Sequence, residues 1–261
     1  MPELPEVELY TRYFADHALG QKISRVVVRD PRILGATTPA RLRAALTGRR
    51  FLRVRRHGKH FFADTGSLWL HLHFGMTGDL AYYRDRKDEP RFARLVIDFA
   101  GGGHLAYDDM RLFGVIDLSP APDEFIGAHG LGPDALDPKF ISGSFMRRLA
   151  GRRGAIKALL MSQEIIAGLG NLYVDEALFA SGIDPRRPAE RLSSAEAALL
   201  FRSARQILRQ VIKRKAMRQT YPPRYLIPHR EEGERCPRCG GEIGRAIVAG
   251  RTTFYCGRHQ K

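Results

Sequence analysis

The sequence predicts an α+β chain: an N-terminal helix, a β-sandwich or barrel-like region, a helical half and a short metal-binding hairpin. Three observations carry that reading. Short β-branched or aromatic runs recur from about residue 22 to 118, apolar residues step by three and four beyond residue 138, and all three cysteines fall in the last 26 residues.

In residues 1–20, Val7, Tyr10, Phe14 and Leu19 recur at near-helical spacing, and Gly20 offers a stop. The runs ISRVVVRD, RRFLRVRRHGKHFFAD, SLWLHLHFG, DLAYYRD, RLVIDFA, HLAYDD and FGVIDL follow, separated by Gly, Asp and Pro turns. Evenly spaced short strands of this kind build sandwiches or barrels. Proline-rich SPAPDEF and LGPDALDPKF mark a boundary near residues 120–138. Four helical segments come next: FMRRLAG, AIKALLMSQEIIAG, NLYVDEALFASG and SAEAALLFRSARQILRQVIKRKA. The division expected is 1–125, 126–230 and 231–261.

The balance of 43 Lys and Arg against 28 Asp and Glu leaves a net charge of +15, which predicts salt-dependent attraction to a polyanion. DNA, RNA, a ribosome or an anionic membrane surface fits charge alone. No run of 18 apolar residues is present, so no membrane span is expected. The N-terminus has no basic segment leading into an apolar one, so no secretory signal is expected. Three clustered cysteines do not make a disulfide scaffold, and a reducing cytoplasm is the natural setting.

The tail carries Cys236 and Cys239 as CPRC and, sixteen residues on, Cys256 and His259 as CGRH. Three thiolates and an imidazole form a tetrahedral zinc set, and so short a segment draws its folding energy from the metal. Between the pairs, GRAIVAGRTTFYC reads as two strands around a glycine turn, which presents Arg251 to a groove or a phosphate.

Met1 is followed by Pro2 and the run PELPEVEL. Removal of Met1 leaves a secondary α-amine, and α-amines titrate near ~8, so a useful fraction is nucleophilic at neutral pH. Such an amine can form an iminium ion with an aldehyde-like carbon. Glu3 and Glu6 stand beside it as proton carriers. In GLGNLYVDEALFASGIDP, Gly168 and Gly170 form a tight turn, and Asn171 opens and can cap the next helix. Amides bared there make a phosphate seat, with Lys157 of AIKALL as a nearby cation.

The ordered blocks MPELPEVE, HLHFGMTG, DDMRLFG, GLGNLYVDEALFASGI and the terminal RTTFYC resemble the formamidopyrimidine-DNA glycosylase and endonuclease VIII family across essentially the whole chain. The resemblance implies a helix and β-sandwich joined to a helix–two-turn–helix domain with a zinc finger, DNA lying in the cleft. It implies a bifunctional glycosylase and abasic-site lyase acting on damaged double-stranded DNA. In that scheme Pro2 attacks C1′, Glu3 is the general acid/base, and Lys59 steadies the phosphate beside the lesion. His73 touches backbone phosphate, while Met76, Arg111 and Phe113 fill the void left by a flipped-out base. Lys157, Asn171 and Arg251 bind further phosphates, and one structural zinc sits on Cys236, Cys239, Cys256 and His259.

Four departures from the family pattern bear on substrate. The stretch from Arg214 to Arg235 is short and lacks a Gly-Gly-Thr loop, supplying Tyr221, Pro222, Pro223 and Tyr225 instead. Leu112 replaces an arginine, Met110 a proline, and His259 the last cysteine. The expectation is a monomeric, nucleoid-associated enzyme favouring oxidised pyrimidines and formamidopyrimidines over 8-oxoguanine, followed by β,δ-elimination. The alternative is a weakly catalytic binder of damaged, abasic or single-stranded DNA.

Overall fold

A computed structural model describes residues 1–261 apart from the side chain of Arg218. The chain divides into two compact units, one of Met1–Pro2 and Glu6–Gly130, the other of Glu3–Pro5 and Leu131–Lys261.

The first unit contains most of helix α1 (Leu4–Ala18), whose Val7, Phe14 and Ala18 are fully buried. Strands β1 (Ile23–Val28), β2 (Arg53–His57), β3 (His60–Asp64), β4 (Trp69–His73), β5 (Gly78–Tyr83), β6 (Ala93–Phe99), β7 (His104–Asp109) and β8 (Val115–Ser119) follow. They form two antiparallel four-stranded sheets, ordered β1-β6-β7-β5 and β2-β3-β4-β8. Phe61, Leu70, Leu72 and Ile116 of one sheet share a core with Val26, Leu95, Ile97 and Leu105 of the other. Two separate sheets around one core make a sandwich, which closes the barrel alternative. The run RRFLRVRRHGKHFFAD is two strands, β2 and β3, paired from Arg53↔Asp64 to His57↔His60.

One helix was not expected amid the strands: α2 (Pro39–Leu46). Thr38 Oγ1 accepts the Arg41 N–H at 3.2 Å, Pro39 stands at the first helical position, and Leu42 and Leu46 are buried. Thr-Pro is a sound helix-start signal that the surrounding strand pattern masks. A short helix, α3 (Pro122–Ala128), ends the unit.

The second unit holds α4 (Ser142–Leu149), α5 (Ile156–Met161), α6 (Asn171–Ser181) and α7 (Ser194–Lys213). A capping box of Ser193 and Glu196 starts α7. The segment AIKALLMSQEIIAG is helical only over the six residues of α5. Residues Tyr173 to Phe179 of α6 are buried on every face, so α6 is the unit's central element. The hairpin β9 (Gly244–Val248) and β10 (Arg251–Tyr255) closes the chain. Phe179 and Leu226 pack there against Cys236, Ile243 and Cys256.

Candidate active site and metal centre

In the second unit, Glu3 is 2% exposed. Its Oε2 accepts from the Gly170 N–H at 2.6 Å and the Tyr173 N–H at 3.4 Å, and its Oε1 from the Leu172 N–H at 2.9 Å. The carboxylate therefore occupies the N-terminus of α6, where backbone donors and helix dipole both favour negative charge. This corrects two sequence expectations. The glycine-turn amides hold Glu3 rather than an empty phosphate seat, and the N-cap is Gly170, with Asn171 as the first helical residue. Asn171 instead donates its Nδ2 to Thr252 O at 3.0 Å, and its buried Oδ1 has no partner among the described residues.

The turn that brings these amides to Glu3 needs glycine at 168. Its φ is +112, and a Cβ there would lie 2.5 Å from Leu4 Cδ1. The Leu4 N–H donates to Gly168 O at 3.1 Å, so the N-terminal segment is pinned backbone to backbone.

Lys157 is corrected as well. It has no exposed surface; its Nζ is 2.7 Å from Asp175 Oδ1 and donates to Thr253 Oγ1 at 2.6 Å. Burial pulls the ammonium below the usual lysine range, opposed by Asp175. A cation so engaged is scaffold, not a phosphate contact. The other Asp175 oxygen, Oδ2, receives Arg230 at 2.6 Å and the Phe254 N–H at 3.3 Å. Asp175 thus ties α5, α6 and the closing hairpin together, a role that its place in VDEALF does not reveal. Arg251 is exposed at the start of β10, behind a turn whose Ala249 and Gly250 have φ of 50 and 70.

The first unit carries the rest. Pro2 is partly exposed behind Met1. Lys59 lies in the β2–β3 turn, and His60 pairs with His73 across β3 and β4. Burial, then the Lys59 charge, lowers the His73 pKa, so the ring is neutral at pH 7. The Gly75 N–H donates to His73 Nδ1 at 3.3 Å, which places the ring proton on Nε2. His73 is then a neutral donor beside a lysine.

Met76, Phe113 and Met110 are 41%, 53% and 53% exposed, an unusual outlay of apolar surface. Arg111 stacks its guanidinium 4.8 Å above the Phe113 ring. The two loops bearing these residues meet closely: a Cβ on Gly75 would lie 2.3 Å from the Phe113 carbonyl carbon. Asp109, with no exposed surface, fastens both. Its Oδ1 accepts from Thr77 Oγ1 and from the Arg111 N–H at 3.1 Å, and its Oδ2 from the Gly114 N–H at 2.8 Å. Sequence reading passed over Asp109, although it sits in the DDMRLFG block.

The ligand atoms of Cys236, Cys239 and Cys256 all lie within 4.8 Å of one another, a cluster that fits a thiolate-bound zinc. His259, three residues after Cys256, is not one of the three residues in that cluster. Its Nε2 is 2.8 Å from Phe179 O and its ring meets Phe179 edge-on, so the imidazole is held against α6.

Comparison with known proteins follows the same division. Residues 1–116 match the formamidopyrimidine-DNA glycosylase N-terminal domain, residues 131–221 its H2TH domain, and residues 233–259 the zinc finger found in FPG and IleRS. A formamidopyrimidine-DNA glycosylase of Laribacter hongkongensis is 36% identical over 271 residues, covering 98% of each chain. Another, of Geobacter metallireducens, is 36% identical over 269 residues, covering all of both. The Lactococcus lactis formamidopyrimidine-DNA glycosylase bound to DNA with an abasic site superposes with a TM-score of 0.90 at 31% identity, over 99% of each chain. A second Lactococcus lactis complex, with DNA containing FAPY-dG, gives 0.88 at 30% identity, over 99% of this chain and all of that one.

Proposed function

Because this chain belongs to the formamidopyrimidine-DNA glycosylase family and is a DNA glycosylase with abasic-site lyase activity, we propose that its nucleophile is the imino nitrogen of Pro2, bared by removal of Met1. The observation that carries the reading is the seating of Glu3. A buried carboxylate fixed by three helix-terminal amides stands covalently next to that nitrogen.

The Pro2 lone pair forms a bond to C1′ of the damaged nucleoside as the glycosidic bond breaks, and the departing base takes a proton from solvent. The Glu3 carboxylate takes the proton from the Pro2 nitrogen and passes it to the sugar-ring oxygen as the ring opens, leaving an iminium at C1′. The iminium acidifies C2′–H. Loss of that proton expels the 3′ phosphate, a second elimination expels the 5′ phosphate, and water then releases the enzyme. Lys59 and the Nε2–H of His73 hold the phosphate beside the lesion. Met76, Arg111 and Phe113 enter the stack, where an unfilled void costs a few kcal/mol.

Asn171 and Arg251 bind phosphates in the second unit, while Lys157 supports them from within. Zinc is held by the three thiolates and by His259 Nδ1. The Nε2–H of His259 on the Phe179 carbonyl is the kind of outer contact that orients a ligating imidazole. The metal's role is to hold the hairpin that carries Arg251. The protein works as a monomer on nucleoid DNA, as its relatedness to DNA repair enzymes suggests.

Oxidised pyrimidines and formamidopyrimidines are the preferred lesions, ahead of 8-oxoguanine. Support comes from the segment after α7, which is packed down instead of forming a glycine-rich loop. Tyr221 and Tyr225 are 6% and 5% exposed. Tyr221 Oη meets Tyr173 Oη at 3.1 Å, Tyr225 Oη donates to Gln210, and the Ile227 N–H donates to Glu176 at 2.9 Å.

The test is borohydride trapping on a duplex with an abasic site. Processed protein gives a covalent adduct that peptide mapping assigns to Pro2, and a chain forced to retain Met1 gives none. Equal trapping by the Met1-retaining chain, with loss only in Lys59→Met, refutes the assignment. A retained Met1 with binding but no nicking is the weak-binder alternative.

A further inference from the structure

Beneath the Lys59 turn, β3 and β4 carry three histidines, of which only His73 has been given a task. His60 lies opposite His73 in register, their ring centroids 5.1 Å apart. On its other side, His60 Nδ1 is 3.0 Å from His71 Nε2. His71 is 2% exposed, and its Nδ1 is buried with no partner among the described residues. Phe62 and Phe125 close over it, with ring centroids 5.0 and 4.2 Å away.

Burial holds both rings neutral, His60 down to about 2 and His71 to about 3, with neighbouring imidazoles adding to the shift. One proton lies between the two rings, and the orphaned His71 Nδ1 decides which ring supplies it. Were His60 Nδ1 the donor, His71 would carry its own proton on Nδ1, a buried N–H with no acceptor. With His71 Nε2 as donor, the orphan is a bare lone pair. Buried unpaired N–H groups are the rarer and costlier of the two. His60 therefore keeps its proton on Nε2, and that atom makes no hydrogen bond among the described residues. The residue is partly exposed.

From this geometry we infer that His60 is a second neutral imidazole donor to the DNA phosphate held by Lys59 and His73, with His71 as the positioning residue that fixes its tautomer. The inference rests on the DNA-glycosylase reading, which the wild-type trapping yield tests separately. Two uncharged donors beside one lysine grip a phosphodiester without adding charge. They strengthen binding while leaving its salt dependence to Lys59.

Binding to a duplex containing a tetrahydrofuran abasic analogue, followed by fluorescence anisotropy across a salt series, tests this. His60→Phe weakens binding about ten-fold with an unchanged slope of log K against log salt, whereas Lys59→Met lowers the slope by about one. His60→Gln, which restores an N–H near the Nε2 position, recovers most of the loss. His71→Phe weakens binding less than His60→Phe does and adds nothing in the double variant. Nitrogen-15 spectra of the wild type show His60 as the Nε2–H tautomer. Wild-type affinity in His60→Phe, a reduced salt slope in that variant, no recovery in a folded His60→Gln, or the opposite tautomer each overturns the inference.

Discussion

Lys157 and Asp175 form an ion pair of 2.7 Å in which neither side chain has any exposed surface. Removing the lysine leaves Asp175 Oδ1 unmet in a dry interior while Arg230 still meets Oδ2, at a cost of about 1–3 kcal/mol. Lys157→Met is expected to lower the unfolding free energy by about that much in urea titrations. Its DNA-binding salt slope should stay at the wild-type value, because the ammonium reaches no phosphate. A slope reduced by about one with unaltered stability reverses both statements.

Asp109 has a separable effect. Asp109→Asn turns an amide N–H₂ toward donors that now meet a carboxylate, loosening the loops of Met76 and Phe113. An unmet buried group costs about 1–3 kcal/mol, so excision of a stacked damaged base is expected to slow about ten- to a hundred-fold. Cleavage at a preformed abasic site, where no base has to leave the stack, should change far less. Equal slowing of both reactions in single-turnover assays contradicts this account.

The His71 imidazole predicts an acid-side loss of stability. Its folded pKa of about 3 lies below the ordinary 6.5. Below pH 6.5 the unfolded chain therefore takes up a proton that the native protein refuses. Stability contributed by this ring is complete above pH 6.5 and falls as pH drops, by about 1.4 kcal/mol per unit. Between pH 7.5 and 5.0, wild type should lose about 2 kcal/mol more than His71→Phe in denaturant titrations. Parallel losses in the two proteins exclude the mechanism.

For the metal centre, elemental analysis should give about one zinc per chain in the wild type and none in Cys239→Ala. His259→Ala should keep its three thiols but bind zinc about 10–100-fold more weakly, as read by chelator competition. Unchanged affinity rejects His259 Nδ1 as a ligand. Because Cys236 and Cys256 pack on Phe179, zinc loss should also disturb α6 and reduce DNA affinity.

Local features were readable in advance and long-range ones were not. The strands, the long capped helix α7 and the cysteine pairs show themselves through spacing within a few residues. The role of Lys157 was misjudged because a lysine reads as surface until Asp175 is seen beside it. Asn171 looked like a cap because its competitor, Glu3, lies 168 residues upstream. Asp109 went unnoticed since its partners Thr77 and Gly114 belong to two different loops, whose meeting no periodicity announces. His259 has the ligand spacing, but its contact with Phe179, far off in sequence, is not legible there.

The bonds that seat Glu3 span 167 to 170 residues of chain, and this separation sets a biosynthetic timetable. At ordinary translation speeds, on the order of ten seconds pass between synthesis of the third residue and of its partners. Throughout that interval the leading end stays open to a trimming aminopeptidase. Trimming of the terminus can thus precede the seating of Glu3, and Met1 stays exposed afterwards as well.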